Sequence, residues 1–153
     1  MSWSDTSRRT IPVQHKKHSM PQSERARICE TIAARLVRSF PDIAAAYIFG
    51  SFVDRGSFGD LDIGILLAGE KVPAALEFEL SMETALEKEV RLPVDVRVLN
   101  TAPLSFQHQV IKSGLLVIDT DPNRRAAFEG QVRKQYFDFS RFRKRYLKEV
   151  AHA

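Results

Sequence analysis

The sequence predicts an α/β (α+β) fold, with a mixed sheet of about four strands flanked by helices and a long helix at the C-terminal end. Three observations predict it. Short apolar runs bounded by turn residues alternate with stretches of helical period. One run, VDVRVL (residues 94 to 99), alternates apolar and charged residues strictly, as a half-buried strand does. From Asp121 onward a single aromatic and aliphatic stripe recurs at steps of three or four.

The elements follow in order. Residues 1 to 22 are rich in Ser, Thr, Pro and basic residues and carry no hydrophobic period, which predicts a disordered basic arm ahead of one domain over 23–153. Its HKKH tract reads as solvated, because neighbouring lysines repel a cation. Ser23 is the expected N-cap of a first helix, with Ile28, Ile32, Leu36 and Phe40 on one face and Pro41 as its stop. IAAAYIF (43 to 49) and LDIGILL (61 to 67) read as buried strands. Pro73 opens a helix to about Glu89, with Leu76, Leu80, Glu83 and Leu86 along a mixed face. VDVRVL is the third strand. Residues 103 to 113 form a short helix closed by Gly114, and LLVID (115 to 119) is the fourth strand. Asp121 caps the final helix, whose stripe runs Phe128, Val132, Tyr136, Phe139, Phe142, Tyr146 and Val150. Its first half is expected to pack on the sheet, and the part from Phe139 on is either core or a surface for another protein.

Composition narrows the function. Hydrophobic residues make up 44% and charged residues 27% of 153, ordinary for a globular domain with a proper core. No apolar run approaches the ~20 residues that cross a bilayer, and the N-terminal stretch lacks the apolar centre of a secretory signal. A cytoplasmic protein without membrane attachment is expected. The single cysteine, Cys29, reads as a small buried residue. The net charge of +4 is unevenly spread. Four Lys or Arg against Asp5 give the first 22 residues +3, and nine against three give residues 124 to 149 +6, so the middle of the chain is left with −5. An acidic centre argues against a nucleic-acid groove across it.

That acidic centre holds the chemistry. In FGSFVDRGSFGDLDIGILL (49 to 67), Gly50-Ser51 follows one apolar run, and Asp60 and Asp62 open the next. Residues two apart on a strand point the same way, so the two carboxylates converge and repel unless a cation lies between them. Mg²⁺ suits the position because it prefers oxygen ligands and bridges carboxylates to phosphates. Asp95 is the third acid, sharing a face with Arg97 and not with the valines beside it. If its strand adjoins that of Asp60 and Asp62, three acids can serve two metal ions. Gly50 allows close approach of the backbone to an anion. His108 and His152 have no partner ligand in view and read as a helix-face and a tail residue.

The ordered set of strand, Gly-Ser, loop, Asp-x-Asp and a later lone Asp resembles the minimal nucleotidyltransferases of the DNA polymerase beta superfamily. The closing YFDFSRF helix is similar to the end of those encoded beside HEPN-domain partners, the antitoxins of HEPN/MNT toxin-antitoxin pairs. The resemblance covers about residues 23 to 150. It implies a polymerase-beta-like nucleotidyltransferase fold, two Mg²⁺ ions and ATP as substrate. It also implies that Gly50, Ser51, Arg55 and Gly56 hold the nucleotide and that Asp60, Asp62 and Asp95 are metal ligands and catalytic. The expected activity is AMP transfer to a hydroxyl, a tyrosine, of a HEPN-domain toxin encoded nearby. The loop FVDRGSFG is shorter than the family's usual one, with Asp54 inserted before Arg55-Gly56 and Gly59 where a serine commonly stands. A module that neutralises its partner by binding alone is the alternative.

Overall fold

The computed structural model describes residues 18–19, 21–54, 57–69 and 75–152. The expected arm therefore lies outside the described residues, apart from a short piece at its end. There His18–Ser19 (β1) pairs antiparallel with Ser57–Phe58 (β3).

The main sheet has four strands: Ile43–Phe49 (β2), Leu61–Leu67 (β4), Val94–Val98 (β5) and Leu115–Asp119 (β6). Their order is β5-β4-β2-β6. β2 runs antiparallel to both neighbours, and β4 and β5 are parallel, so the sheet is mixed as expected. Among the described residues five helices accompany it: Gln22–Ser39 (α1), Ser51–Asp54 (α2), Ala75–Val90 (α3), Leu104–Ser113 (α4) and Pro122–Ala151 (α5). Among the described residues no helix is long and apolar enough to cross a membrane.

Strand alternation sorts the core into two layers. On one face Ala46, Ile48, Ile63, Ile65, Val96 and Val98 pack with Ile32 and Leu36 of α1 and with Met82 and Leu86 of α3. On the other, Ala45, Tyr47 and Leu66 pack with Val110 and Ile111 of α4 and with Phe128 and Val132 of α5. The small alanines of β2 fit because that strand is buried on both faces. Gly64 serves the same end, since a Cβ there would stand 3.2 Å from Leu99 and Val110.

Two details depart from the sequence expectation. α1 starts at Gln22 with Pro21, not Ser23, at its N-cap, because the Pro21 carbonyl already accepts from the N–H groups of Glu24 and Arg25. In α3, whose expected start at Pro73 lies outside the described residues, Leu76 and Leu80 are exposed while Met82 and Leu86 are buried. The face of Glu79, Glu83 and Glu87 turns instead to β5, where their carboxylates accept from the N–H groups of Val98, Val96 and Val94.

α5 is moored by a polar chain. The Asp121 side chain caps it by accepting from the Arg124 N–H. Tyr47 donates to Glu129 at 2.7 Å, Arg125 donates to Glu129, and Arg125 holds Asp119 through two bonds of 3.0 Å. Burial and the Glu129 carboxylate push the Tyr47 hydroxyl well above the usual phenol range, so it stays a donor. His108 stacks flat on Tyr136, 3.7 Å between ring centres, where α4 meets α5.

Candidate active site

The strand order brings the three acids to one end of the sheet. Asp60 sits in the bend before β4, Asp62 is the second residue of β4, and Asp95 the second of β5. The parallel register sets Asp62 directly opposite Asp95, on strands that lie about 4.8 Å apart. On the other side Asp62 pairs with Phe49, the last residue of β2. The Gly50-Ser51 turn therefore stands beside the central acid.

Gly50 has φ +81°, in the left-handed region that favours glycine. A Cβ at Gly50 would lie 2.6 Å from Asp62 Oδ2. Glycine is thus required twice, once for the backbone angle and once because the Asp62 carboxylate rests against the turn. α2 begins at the next residue, and Val53 N–H closes its turn onto the Gly50 carbonyl. Behind it, Arg25 of α1 donates to the Phe52 carbonyl at 3.3 Å and ties the turn to the first helix. Arg55 and Gly56, expected to touch phosphate, lie outside the described residues.

Electrostatics single out Asp62. It is half-buried, whereas Asp60 and Asp95 are exposed. Burial first, then the charges of Asp95 and Asp60, raise its carboxyl from the ordinary 3.8 to about 6. A cluster of negative charge with no cation among its members behaves this way. The donor set is all carboxylate oxygen, the chemistry that Mg²⁺ prefers, and a bound cation would reverse the shift. Among the described residues no three His, Cys, Asp or Glu side chains already surround one point closely enough to hold an ion. Asp60 and Asp95 would have to turn toward Asp62 for the three to share an ion, and both are exposed.

The site has a further wall that the sequence reading did not assign. Arg97, two residues along from Asp95, lies over the Phe106 ring at 5.2 Å, and Phe106 meets Phe49 edge to face at 5.6 Å. This row of side chains runs from the edge strand to the residue before Gly50. Only the alternation of VDVRV hinted at it, by placing Arg97 with Asp95. A separate cleft of about 400 Å³, bounded by Asn100, Gln107, Arg124 and Phe128, opens at the other end of the sheet, away from the acids.

Residues 30–123 match the family model described as polymerase beta, nucleotidyltransferase. A search of curated proteins finds no match. Among solved structures, the chain is similar to one in the MntA-HepT toxin-antitoxin complex, at 19% identity and a TM-score of 0.63, covering 82% of this chain and 97% of that one. It is similar to another in a toxin-antitoxin structure with AMP-PNP, at 21% identity and a TM-score of 0.64, over 80% and 97% of the two chains. A third is in a complex of a tri-AMPylated Shewanella oneidensis HEPN toxin with an MNT antitoxin, at 19% identity and a TM-score of 0.65, over 82% and 98%. At such identities the likeness is one of fold.

Proposed function

This chain belongs to the polymerase beta nucleotidyltransferase family, and we propose that it transfers AMP from ATP to a tyrosine hydroxyl of a HEPN-type toxin encoded nearby, acting as its antitoxin. The observation that carries the reading is the seating of Asp62. Its carboxylate rests against a left-handed glycine turn on one side and faces Asp95 across the register on the other. An acid suited to a divalent cation thus lies beside a turn suited to an anion, which supports a nucleoside triphosphate as the substrate.

Two Mg²⁺ ions, held by Asp60, Asp62 and Asp95, would supply neutralisation of the phosphate charge and alignment of the attacking and leaving oxygens. The remaining roles belong to the chain's own groups. Gly50 lets the backbone approach the phosphates, and Ser51, Arg55 and Gly56 are the proposed contacts to them. Asp95, exposed on the edge strand, is the proposed proton acceptor. It takes the proton of the attacking hydroxyl as that oxygen bonds to the α-phosphorus and pyrophosphate leaves with the bridging oxygen. Positioning and charge neutralisation, with no covalent intermediate on the protein, suffice for phosphoryl transfer.

The acceptor is assigned by analogy. Solved relatives include a complex with an AMPylated HEPN toxin and a structure with AMP-PNP, which supports a protein acceptor and an adenine nucleotide here. To test it, the purified chain is incubated with ATP labelled at the α-phosphate, Mg²⁺ and the HEPN-type protein encoded beside it. Label on a partner tyrosine, lost with Asp60→Ala and with Asp62→Ala, is expected. An unlabelled partner under these conditions refutes the assignment.

One observation favours the second reading, neutralisation by binding alone. The stripe of α5 is buried at Phe128 and Val132, yet Phe139, Phe142 and Tyr146 on the same face are 52%, 68% and 57% exposed. Five basic residues between Arg141 and Lys148 surround them. An apolar face framed by cations suits a partner with an apolar groove and acidic rims. On this reading Phe142→Ser with Tyr146→Ser abolishes neutralisation of the partner, while Asp60→Ala and Asp62→Ala leave it intact. The opposite pattern favours catalysis.

A further inference from the structure

We infer that Glu83 and Glu87 are positioning residues for Asp95, holding the edge strand that carries it at the distance from Asp62 that a shared cation requires. The inference rests on the reading of Asp62 and Asp95 as metal ligands.

Among the described residues β5 is an edge strand that pairs with β4 alone, and every second N–H of its backbone points away from the sheet. In most sheets such donors face water or invite another strand. Here a row of carboxylates takes them. Glu87 Oε2 accepts from the Val94 N–H at 3.0 Å, Glu83 Oε2 from Val96 at 2.8 Å and Glu79 Oε2 from Val98 at 2.8 Å. The geometry is a match of periods. Four residues of helix rise about 6.0 Å and two of strand about 6.6 Å, so glutamates at every fourth position of α3 meet N–H groups at every second position of β5. The helix runs opposite to the strand, so the order of the partners is reversed.

This ladder matters at Asp95 because its side chain is exposed and projects from an edge. Its place is set by its backbone, and the two N–H groups that flank it, those of Val94 and Val96, are the ones held by Glu87 and Glu83. Ionised acceptors make stronger hydrogen bonds than neutral ones, and α3 is itself fixed in the core through Met82 and Leu86. The third rung, Glu79, meets the strand beyond Arg97. It contributes a similar bond to the fold at a point farther from the acids, which makes it an internal control.

Two measurements on the full chain test the inference: Mn²⁺ binding by electron paramagnetic resonance without nucleotide, and amide hydrogen exchange at Val96. Glu83→Ala and Glu87→Ala are expected to weaken Mn²⁺ binding about tenfold, the scale seen when a supporting residue of a metal ligand is lost. Glu79→Ala should leave Mn²⁺ binding close to wild type. Glu83→Gln, which keeps a side-chain oxygen to accept from Val96, should recover most of the loss, and Val96 should exchange faster in Glu83→Ala than in Glu83→Gln. Equal weakening by all three alanine variants overturns the inference, because the ladder then acts through stability alone. Unchanged exchange at Val96 in Glu83→Ala overturns the hydrogen bond itself. If the wild-type chain binds no Mn²⁺ while Val96 exchange responds as expected, the reading of the acids fails and the positioning role falls with it, although the ladder stands.

Discussion

Replacing Asp62 by Asn is predicted to make the metal-free protein more stable and to disable it. The magnitude comes from the site. Burial and the two neighbouring acids raise the Asp62 carboxyl from 3.8 to about 6, a shift whose ceiling at about 1.4 kcal/mol per unit is about 3 kcal/mol, and solvent screening of this half-buried group lowers the expected effect to about 1–2 kcal/mol. Because the folded state holds the proton more tightly than the unfolded state, the sign is a penalty on folding that depends on pH. Below 3.8 the group is protonated in both states and there is no penalty. Between 3.8 and about 6 the unfolded chain ionises first and the penalty grows, and above about 6 it is complete. Asparagine keeps the shape and removes the charge. The assay is urea denaturation of both proteins in chelator at pH 4 and pH 8. The difference should be small at pH 4 and reach about 1–2 kcal/mol in favour of Asp62→Asn at pH 8. Saturating Mg²⁺ should narrow the gap at pH 8, because only the wild type gains from binding the ion. Parallel stability of the two proteins across this range, or a less stable variant at pH 8, would show that the Asp62 charge does not oppose folding.

Two further substitutions test the scaffold. Gly50→Ala places a Cβ on the Asp62 carboxylate and in a left-handed backbone, so it should cost about 1–2 kcal/mol in urea denaturation. It should also weaken binding of a fluorescent ATP analogue; unchanged binding would show that the turn does not face the nucleotide. Tyr47→Phe removes the 2.7 Å bond to Glu129 and should destabilise by about 1–2 kcal/mol, because Arg125 still pairs with the carboxylate left behind. A neutral effect would mean that this chain does not moor α5.

Local signals carried much of this fold. The bounds of β2, β4 and β6 coincide with the apolar runs because Pro41-Asp42, Gly50, Gly114 and Asp121 punctuate them sharply. The alternation of VDVRV put Asp95 and Arg97 on the exposed face, where the structure has them. What could not be read locally was pairing over distance. The adjacency of β4 and β5 remained a condition in the sequence, although the whole acid cluster depends on it. Tyr47 and Glu129 are 82 residues apart, and no periodicity links them. Glu83 reads in the sequence as one member of a mixed face, because an acceptor for a strand's N–H groups is invisible until helix and strand are side by side. The start of α1 was misplaced for a smaller reason: a backbone carbonyl of Pro21 does the work expected of a serine hydroxyl. Nothing local could decide the fate of the α5 stripe, since Phe128 and Phe142 differ only in whether the body of the domain reaches them.

Whether the acids and the Gly50 turn form one nucleotide site is decided by crystallography of the chain with Mn²⁺ and a non-hydrolysable ATP analogue, using the anomalous signal to locate the metal. Manganese is expected between Asp62 and Asp95, with the phosphates of the analogue running from the metal to Gly50 and Ser51. Manganese found elsewhere, or a nucleotide bound away from the Gly50 turn, would contradict a single site.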